Sequence, residues 1–185
     1  MKTNNEEHGK FTSRDEVRIV RLLPGPIERV WQYLTEPEKR ARWLCGGIVE
    51  QKAGGKVEYQ MHTKQLAPGE KPPAKFAHVH DPGVSFEGKV LRCEPPRLLV
   101  ITFGGDDSEV TFELTPQGQQ VLLVLTHRTR GDEERAELTN YSAGWHAHVA
   151  LLVALLEGAP RPEFWATHTR LWAEYEKIYA DAPQS

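Results

Sequence analysis

The segment NYSAGWHAHVALLVALLEGAP, residues 140–160, constrains the fold of this chain more than any other stretch. It begins with amphipathic helical spacing and two histidines, then turns apolar on every side from Val149 to Leu156. A helix with one face in water keeps a polar stripe there, so a segment without one must be covered from at least two directions. The apolar run is far short of the roughly 20 residues that cross a bilayer, which makes it a core helix. Gly158 and Pro160 mark its end, as a glycine just past the last turn and a proline beyond it should. About 18 residues at ~1.5 Å rise each are long enough to lie across a whole sheet. Tyr141, Trp145, Val149, Leu152 and Leu156, spaced by three and four, form the face expected to meet that sheet. Leu151, Val153, Ala154 and Leu155 then need a second cover. The stripe Phe164, Trp165, Leu171, Trp172 and Tyr175 in residues 162–180 equally lacks a partner, and the short EGAPRP link favours folding it back as a helical hairpin. A homodimer that satisfies both surfaces across subunits is the alternative.

The rest of the chain supplies a sheet. DEVRIVRLL (15–23) has the β-branched character of a strand, and PIERVWQYL follows with helical spacing at Ile27, Val30, Trp31 and Leu34. TEPEKRARW (35–43) matches a capping box of Thr35 and Glu38 and predicts a second short helix. From Gly46 to Arg130 the period changes to two: Val57, Tyr59 and Met61 share a face, as do Phe86, Gly88 and Val90, and Val110, Phe112 and Leu114. Turn signals at AGG, EPP, GGDD and TPQG join these strands into an antiparallel meander. QQVLLVLTHRTR, apolar at consecutive positions, reads as a strand covered on both faces. Residues 63–82 carry four prolines and read as a loop, a candidate lid.

Composition bounds the function. At 185 residues the chain fits one domain over 15–185, with a polar, disordered stretch over 1–14. A net charge of −3 argues against nucleic-acid or anionic-membrane partners. The only cysteines, Cys45 and Cys93, lack metal or redox spacing, and the N-terminus has no secretory h-region, so the expectation is a reduced, cytoplasmic protein.

Four stretches, PIERVWQYLTEPEKRARWL (26–44), GKVLRCEPPRLLVITF (88–103), VTFELTPQGQQVLLVLTH (110–127) and GWHAHVALLVALLEG (144–158), stand in the order strand, helices, meander, long helix. They resemble the activator-of-Hsp90-ATPase-like branch of the START and Bet v 1 (SRPBCC) superfamily over about residues 15–180. The resemblance implies an α+β helix-grip fold, in which a curved antiparallel sheet wraps the long C-terminal helix, here with an additional terminal helix. It also implies a cavity between sheet and helix, in a family whose members range from carriers and chaperone regulators to polyketide cyclases. A fold by itself does not assign the activity.

The expected cavity residues are Trp43, Tyr59, Met61, Phe86, Val90, Phe103, Phe112, His127, Trp145, His148, Val149 and Leu152, an apolar set suited to a small hydrophobic molecule. The same side chains would stabilise the fold by about 1.5–3 kcal/mol each if they simply filled the space. Histidine chemistry of a cyclase kind, with His127 or His148 as the base and Tyr59 or Arg92 polarising a carbonyl, is one alternative. A chaperone-regulating interaction module is the other. His146 and His148, two apart on a helix, diverge; His78 and His80 could share a face of an extended segment but adjoin DPG, which reads as an exposed turn; and no HExxH spacing exists, so neither a metal nor another cofactor is expected. Gly144 reads as a point of close approach between helix and sheet.

Overall fold

In the computed structural model, which describes residues 4–130 and 134–181, seven antiparallel strands form one sheet in the order β1-β2-β7-β6-β5-β4-β3. The strands are β1 (Lys10–Ser13), β2 (Glu16–Pro24), β3 (Lys56–Met61), β4 (Val84–Glu94), β5 (Leu98–Thr102), β6 (Ser108–Gln117) and β7 (Gln120–Thr129). Two short helices, α1 (Ile27–Thr35) and α2 (Pro37–Arg40), connect β2 to β3. The 63–82 excursion contains α3 (Thr63–Leu66) and α4 (Ala77–His80), and the long α5 (Glu134–Glu157) is followed by α6 (Phe164–Ala180). This is the α+β helix-grip arrangement, and α5 runs unbroken from well before the predicted start at Asn140 to Glu157. Gly158, at φ +68°, takes the left-handed conformation that ends it.

The period-two reading places the inner face correctly: Val57, Tyr59 and Met61 of β3 and Val110, Phe112 and Leu114 of β6 are buried. Gly88 is required where it stands, because a Cβ there would lie 2.6 Å from the Thr102 carbonyl oxygen, and the Tyr59 ring crosses the space instead. β7 is only partly covered on its outer face. Its inward residues Val121, Leu123, Leu125 and His127 are buried; on the outer face Val124 is buried too, whereas Leu122 and Thr126 are partly exposed. Its consecutive apolar positions reflect a central place in the sheet, between β2 and β6.

Three other expectations change. Thr35 does not cap α2: it is the last residue of α1, its hydroxyl donates to the Trp31 carbonyl (3.0 Å), and Pro37 starts the next helix. Residues 10–13, within the stretch expected to be disordered, form edge strand β1. Gly9 N–H donates to the Tyr175 hydroxyl (2.7 Å), and Phe11 packs edge-on against Tyr175 and Tyr179. Two apolar or aromatic contacts outweigh the polar look of the segment; residues 1–3 lie outside the described residues. Thirdly, the 63–82 excursion is helical in short pieces, and its Glu70 carboxylate accepts the free N–H groups of Phe164 (2.8 Å) and Trp165 (2.7 Å) at the start of α6.

α5 lies between the inner face of the sheet and α6. Its two histidines diverge: His146 meets the Tyr175 hydroxyl of α6 (3.0 Å), and His148 donates from Nδ1 to the Trp43 carbonyl (2.7 Å). The predicted second cover is therefore supplied within the chain. Leu151, Leu152, Ala154 and Leu156 are buried, and Val153 and Leu155 are half-buried.

Arg40 fixes the junction of α2 with the sheet edge. Fully buried, it donates through Nη1 to the carbonyls of Glu58 (2.9 Å), Gly47 (3.2 Å) and Gly46 (3.4 Å), and its guanidinium stands 4.9 Å over the Tyr59 ring. Arg40→Met should cost about 2–4 kcal/mol of unfolding free energy, because buried carbonyls lose their donor. Arg40→Lys should recover only part, since an ammonium on a shorter stem cannot keep both the three carbonyl contacts and the planar group over the Tyr59 ring. Urea denaturation of the two variants would measure this, and equal stability of Arg40→Met and the unaltered chain would contradict it.

Candidate functional site

A cavity of ≈ 260 Å³ opens where the β3–β4 end of the sheet, α5, α6 and the 63–82 excursion meet. The sheet contributes Met61, Val84 and Phe86, the turn after β5 contributes Phe103, and α5 contributes Asn140, Tyr141, Gly144, Trp145 and His148. The far wall comes from Phe164, Trp165 and His168 of α6 and from Thr63, Phe76 and Val79 of the excursion, with Leu44 beneath. Aromatic packing sets its shape. Phe103 lies at 5.1 Å from Trp145 and 5.6 Å from Phe86, and Phe76 stacks on Trp165 at 5.5 Å. Gly144 is not a point of close approach: a Cβ there would meet nothing within 4 Å, and the missing side chain is part of the open volume.

Of the twelve residues expected to line such a space, Met61, Phe86, Phe103, Trp145 and His148 do so. Trp43, Tyr59, Val90, Phe112, His127, Val149 and Leu152 are inward and buried but belong to the packed core beside the cavity. The Trp43 indole donates to the Tyr33 carbonyl (2.8 Å), and the Tyr59 hydroxyl donates to the Thr102 carbonyl (2.5 Å) with its acidity suppressed by burial. The excursion and α6 residues escaped the sequence reading because neither segment carries a signal for where it docks. Phe164 and Trp165 were legible only as a cover for α5, and Tyr141 only as part of its sheet-facing stripe.

His127 is closed to chemistry at both ring nitrogens. The Trp145 indole, which can only donate, points at Nδ1 (2.6 Å), so the proton sits on Nε2, which donates to the Ser108 hydroxyl (2.8 Å). Burial lowers its pKa to about 3. His148 and His168 are held neutral in the same way, each lowered to about 4, chiefly by loss of hydration. Arg92 is on the exposed face of the sheet, paired with Glu94 at 2.7 Å, and faces away from any buried carbonyl. Among the described residues no group of three or more His, Cys, Asp or Glu side chains is placed to hold a metal ion, and no helix is long and apolar enough to cross a membrane.

Known structures with this architecture bear on ancestry. A Bordetella parapertussis protein solved in solution by NMR is 39% identical, with a TM-score of 0.73 over 100% of this chain and 97% of its own. CalU16 from Micromonospora echinospora is 24% identical, with a TM-score of 0.65 over 89% of this chain and 88% of its own. A conserved Enterococcus faecalis protein of unknown function is only 15% identical but superposes with a TM-score of 0.72 over 97% and 93% of the two chains. The last two likenesses speak to the fold alone. No functionally curated protein matches the sequence. Residues 24–157, from the end of β2 to the end of α5, match the family described as activator of Hsp90 ATPase homolog 1-like protein, and with most of its length in that match the chain belongs to this family.

Proposed function

We propose that this protein binds a compact apolar small molecule in the cavity between the sheet, α5 and α6, and performs no chemistry on it. The observation that carries this reading is the cavity itself. Its ≈ 260 Å³ lies just below the ~300–1,000 Å³ typical of ligand sites, room for a small molecule of one or two rings. It persists in a chain whose interior is elsewhere crowded with aromatic side chains, and Gly144 keeps it open where any larger residue would fill it. Catalysis has less support. His127 has both nitrogens engaged, and His148, with a pKa lowered to about 4, is a weak base at neutral pH. Regulation of a chaperone is suggested by the family's description alone.

Gly144→Leu tests the site. The substitution favours the helix by up to ~1 kcal/mol and places an isobutyl group in the open volume. Titration with N-phenyl-1-naphthylamine, a neutral dye that brightens on burial, should show saturable binding to the unaltered protein and at least about ten-fold weaker binding to the variant, with circular dichroism unchanged. Equal binding by the two proteins would place the dye elsewhere, and no binding by either would remove the ligand reading.

A further inference from the structure

Arg21 puts a charge where a strand facing an apolar core ordinarily has none. The inward positions of β2 are Val17, Ile19, Arg21 and Leu23, all buried, and Arg21, opposite Leu123 of β7, is only 1% exposed. A guanidinium keeps its proton at neutral pH, so a full positive charge lies on the face of β2 that α5 covers.

That charge is poorly matched within the chain. Nη1 donates to the Val20 carbonyl (2.8 Å), whereas Nε and Nη2 are buried with no hydrogen-bond partner among the described residues. In a planar guanidinium the Nε–H and the outer Nη2–H point the same way, along the edge that grips a carboxylate side-on. The two orphaned donors are therefore one complete binding edge. The other fully buried arginine, Arg40, is offset by three carbonyls and the Tyr59 ring. No carboxylate pairs with Arg21 among the described residues. Glu7 is exposed, and Glu174 is already shared by His8 (2.7 Å) and Arg170 (2.9 Å). The remaining groups coupled to it are Tyr175, whose hydroxyl accepts from Gly9 N–H, and His146, which meets that hydroxyl at 3.0 Å. Burial accordingly pulls the Arg21 pKa below the ordinary arginine value.

We propose that Arg21 holds a small monovalent anion, chloride or a carboxylate the size of formate, on its Nε–Nη2 edge as a structural ion of the folded protein. The site is separate from the apolar cavity, whose lining does not include Arg21. A water molecule would supply an acceptor but leave the charge in place, and an uncompensated buried charge is far costlier than an unpaired dipole. The ion is small because both free nitrogens are sealed from solvent, and it is enclosed as the chain folds.

Thermal unfolding of the full-length protein at fixed ionic strength, with sodium gluconate exchanged for sodium chloride or sodium formate, tests this. Gluconate is too bulky for a sealed site, and an ion held only by the native state raises the folded-to-unfolded ratio by mass action. At about 0.3 M, chloride or formate should raise that ratio roughly ten-fold and the Tm by about 3–5 °C. In Arg21→Met the gain should fall below about two-fold. A gain with chloride alone identifies a halide site, and one with formate alone a carboxylate site. Equal gains in the two proteins would assign the effect to surface cations and overturn the inference, as would no gain in the unaltered protein. If Arg21→Met does not fold, crystals of the unaltered protein grown in sodium bromide decide: an anomalous peak within hydrogen-bonding reach of both Nε and Nη2 is expected, and its absence there would refute the site.

Discussion

Acidification from pH 7 to pH 5 should lower the unfolding free energy by on the order of 7–8 kcal/mol, enough to bring this protein close to its unfolding midpoint at room temperature. Four buried histidines are responsible. His127 and His146 have pKa values lowered to about 3, and His148 and His168 to about 4; in each case loss of hydration is the main cause, aided at His146 by the nearby Arg21 charge. In the unfolded chain the same rings take up protons near pH 6.5. Between about pH 6.5 and pH 4 the unfolded state thus binds more protons than the native one, and stability falls as the pH falls. Above pH 6.5 both states are neutral and the histidine contribution is complete; below about pH 3 it is lost and the dependence flattens. Each ring accounts for roughly 2 kcal/mol between pH 7 and pH 5. Carboxylates titrate mainly lower, so this window isolates the histidines. Calorimetric melting at intervals from pH 8 to pH 4.5 checks the result, and a Tm that is level between pH 7 and pH 5 would show that the rings gain protons without unfolding.

Truncation after Gly158 should abolish the folded monomer. The removed segment carries Phe164, Trp165, Leu171, Tyr175 and Tyr179, all buried, and at about 1.5–3 kcal/mol each their loss matches the entire stability expected of a domain. The effect is compounded on the other side of the interface. Without α6, the outer face of α5 and the rings of His146 and His148 meet water, Gly9 loses the Tyr175 hydroxyl, and Phe11 loses the two rings it packs against. Sedimentation and chemical denaturation of the fragment should find association or an unfolded chain. A monomeric fragment with undiminished stability would mean that α6 covers nothing that matters. The Glu70→Gln variant offers a gentler probe of the same interface, because the charged acceptor at the start of α6 becomes a neutral one; a loss of about 1 kcal/mol is expected in the same denaturation assay.

Much of this architecture was legible in one dimension. Alternation in β3 and β6 identified the inner face because side chains on a strand switch sides at every residue, and burying one face leaves a record with period two. The all-round apolar half of α5 demanded two covers, and Gly158 ended the helix, since both are local consequences of helix geometry. The candidate site was less legible. Periodicity says that a residue points inward, and on that ground Trp43, Tyr59, Phe112 and His127 were indistinguishable from Phe86, Phe103 and Trp145. Only packing separates the residues that fill space from those that border it.

The far wall had no local signature at all. Phe76 and Val79 occupy a proline-rich excursion and Phe164 and Trp165 a helix whose stripe fits many partners; their meeting depends on Glu70 capping α6 and on Arg161 donating to the carbonyls of Leu66 (2.8 Å) and Arg42 (3.1 Å). Hydrogen-bond direction was equally hidden, because the tautomers of His127 and His148 follow from a Trp145 indole and a Trp43 carbonyl that the sequence does not place beside them. The sequence by itself determined the long elements, their order and their buried faces, through interactions that repeat within a few residues along the chain, while β1 and the short helices of the 63–82 excursion depend on contacts with α6 and the rest of the fold. The tertiary structure decided the cavity and the tautomers beside it, because volume left open and the hydrogen-bond partners of a buried ring are properties of side chains brought together from distant parts of the chain.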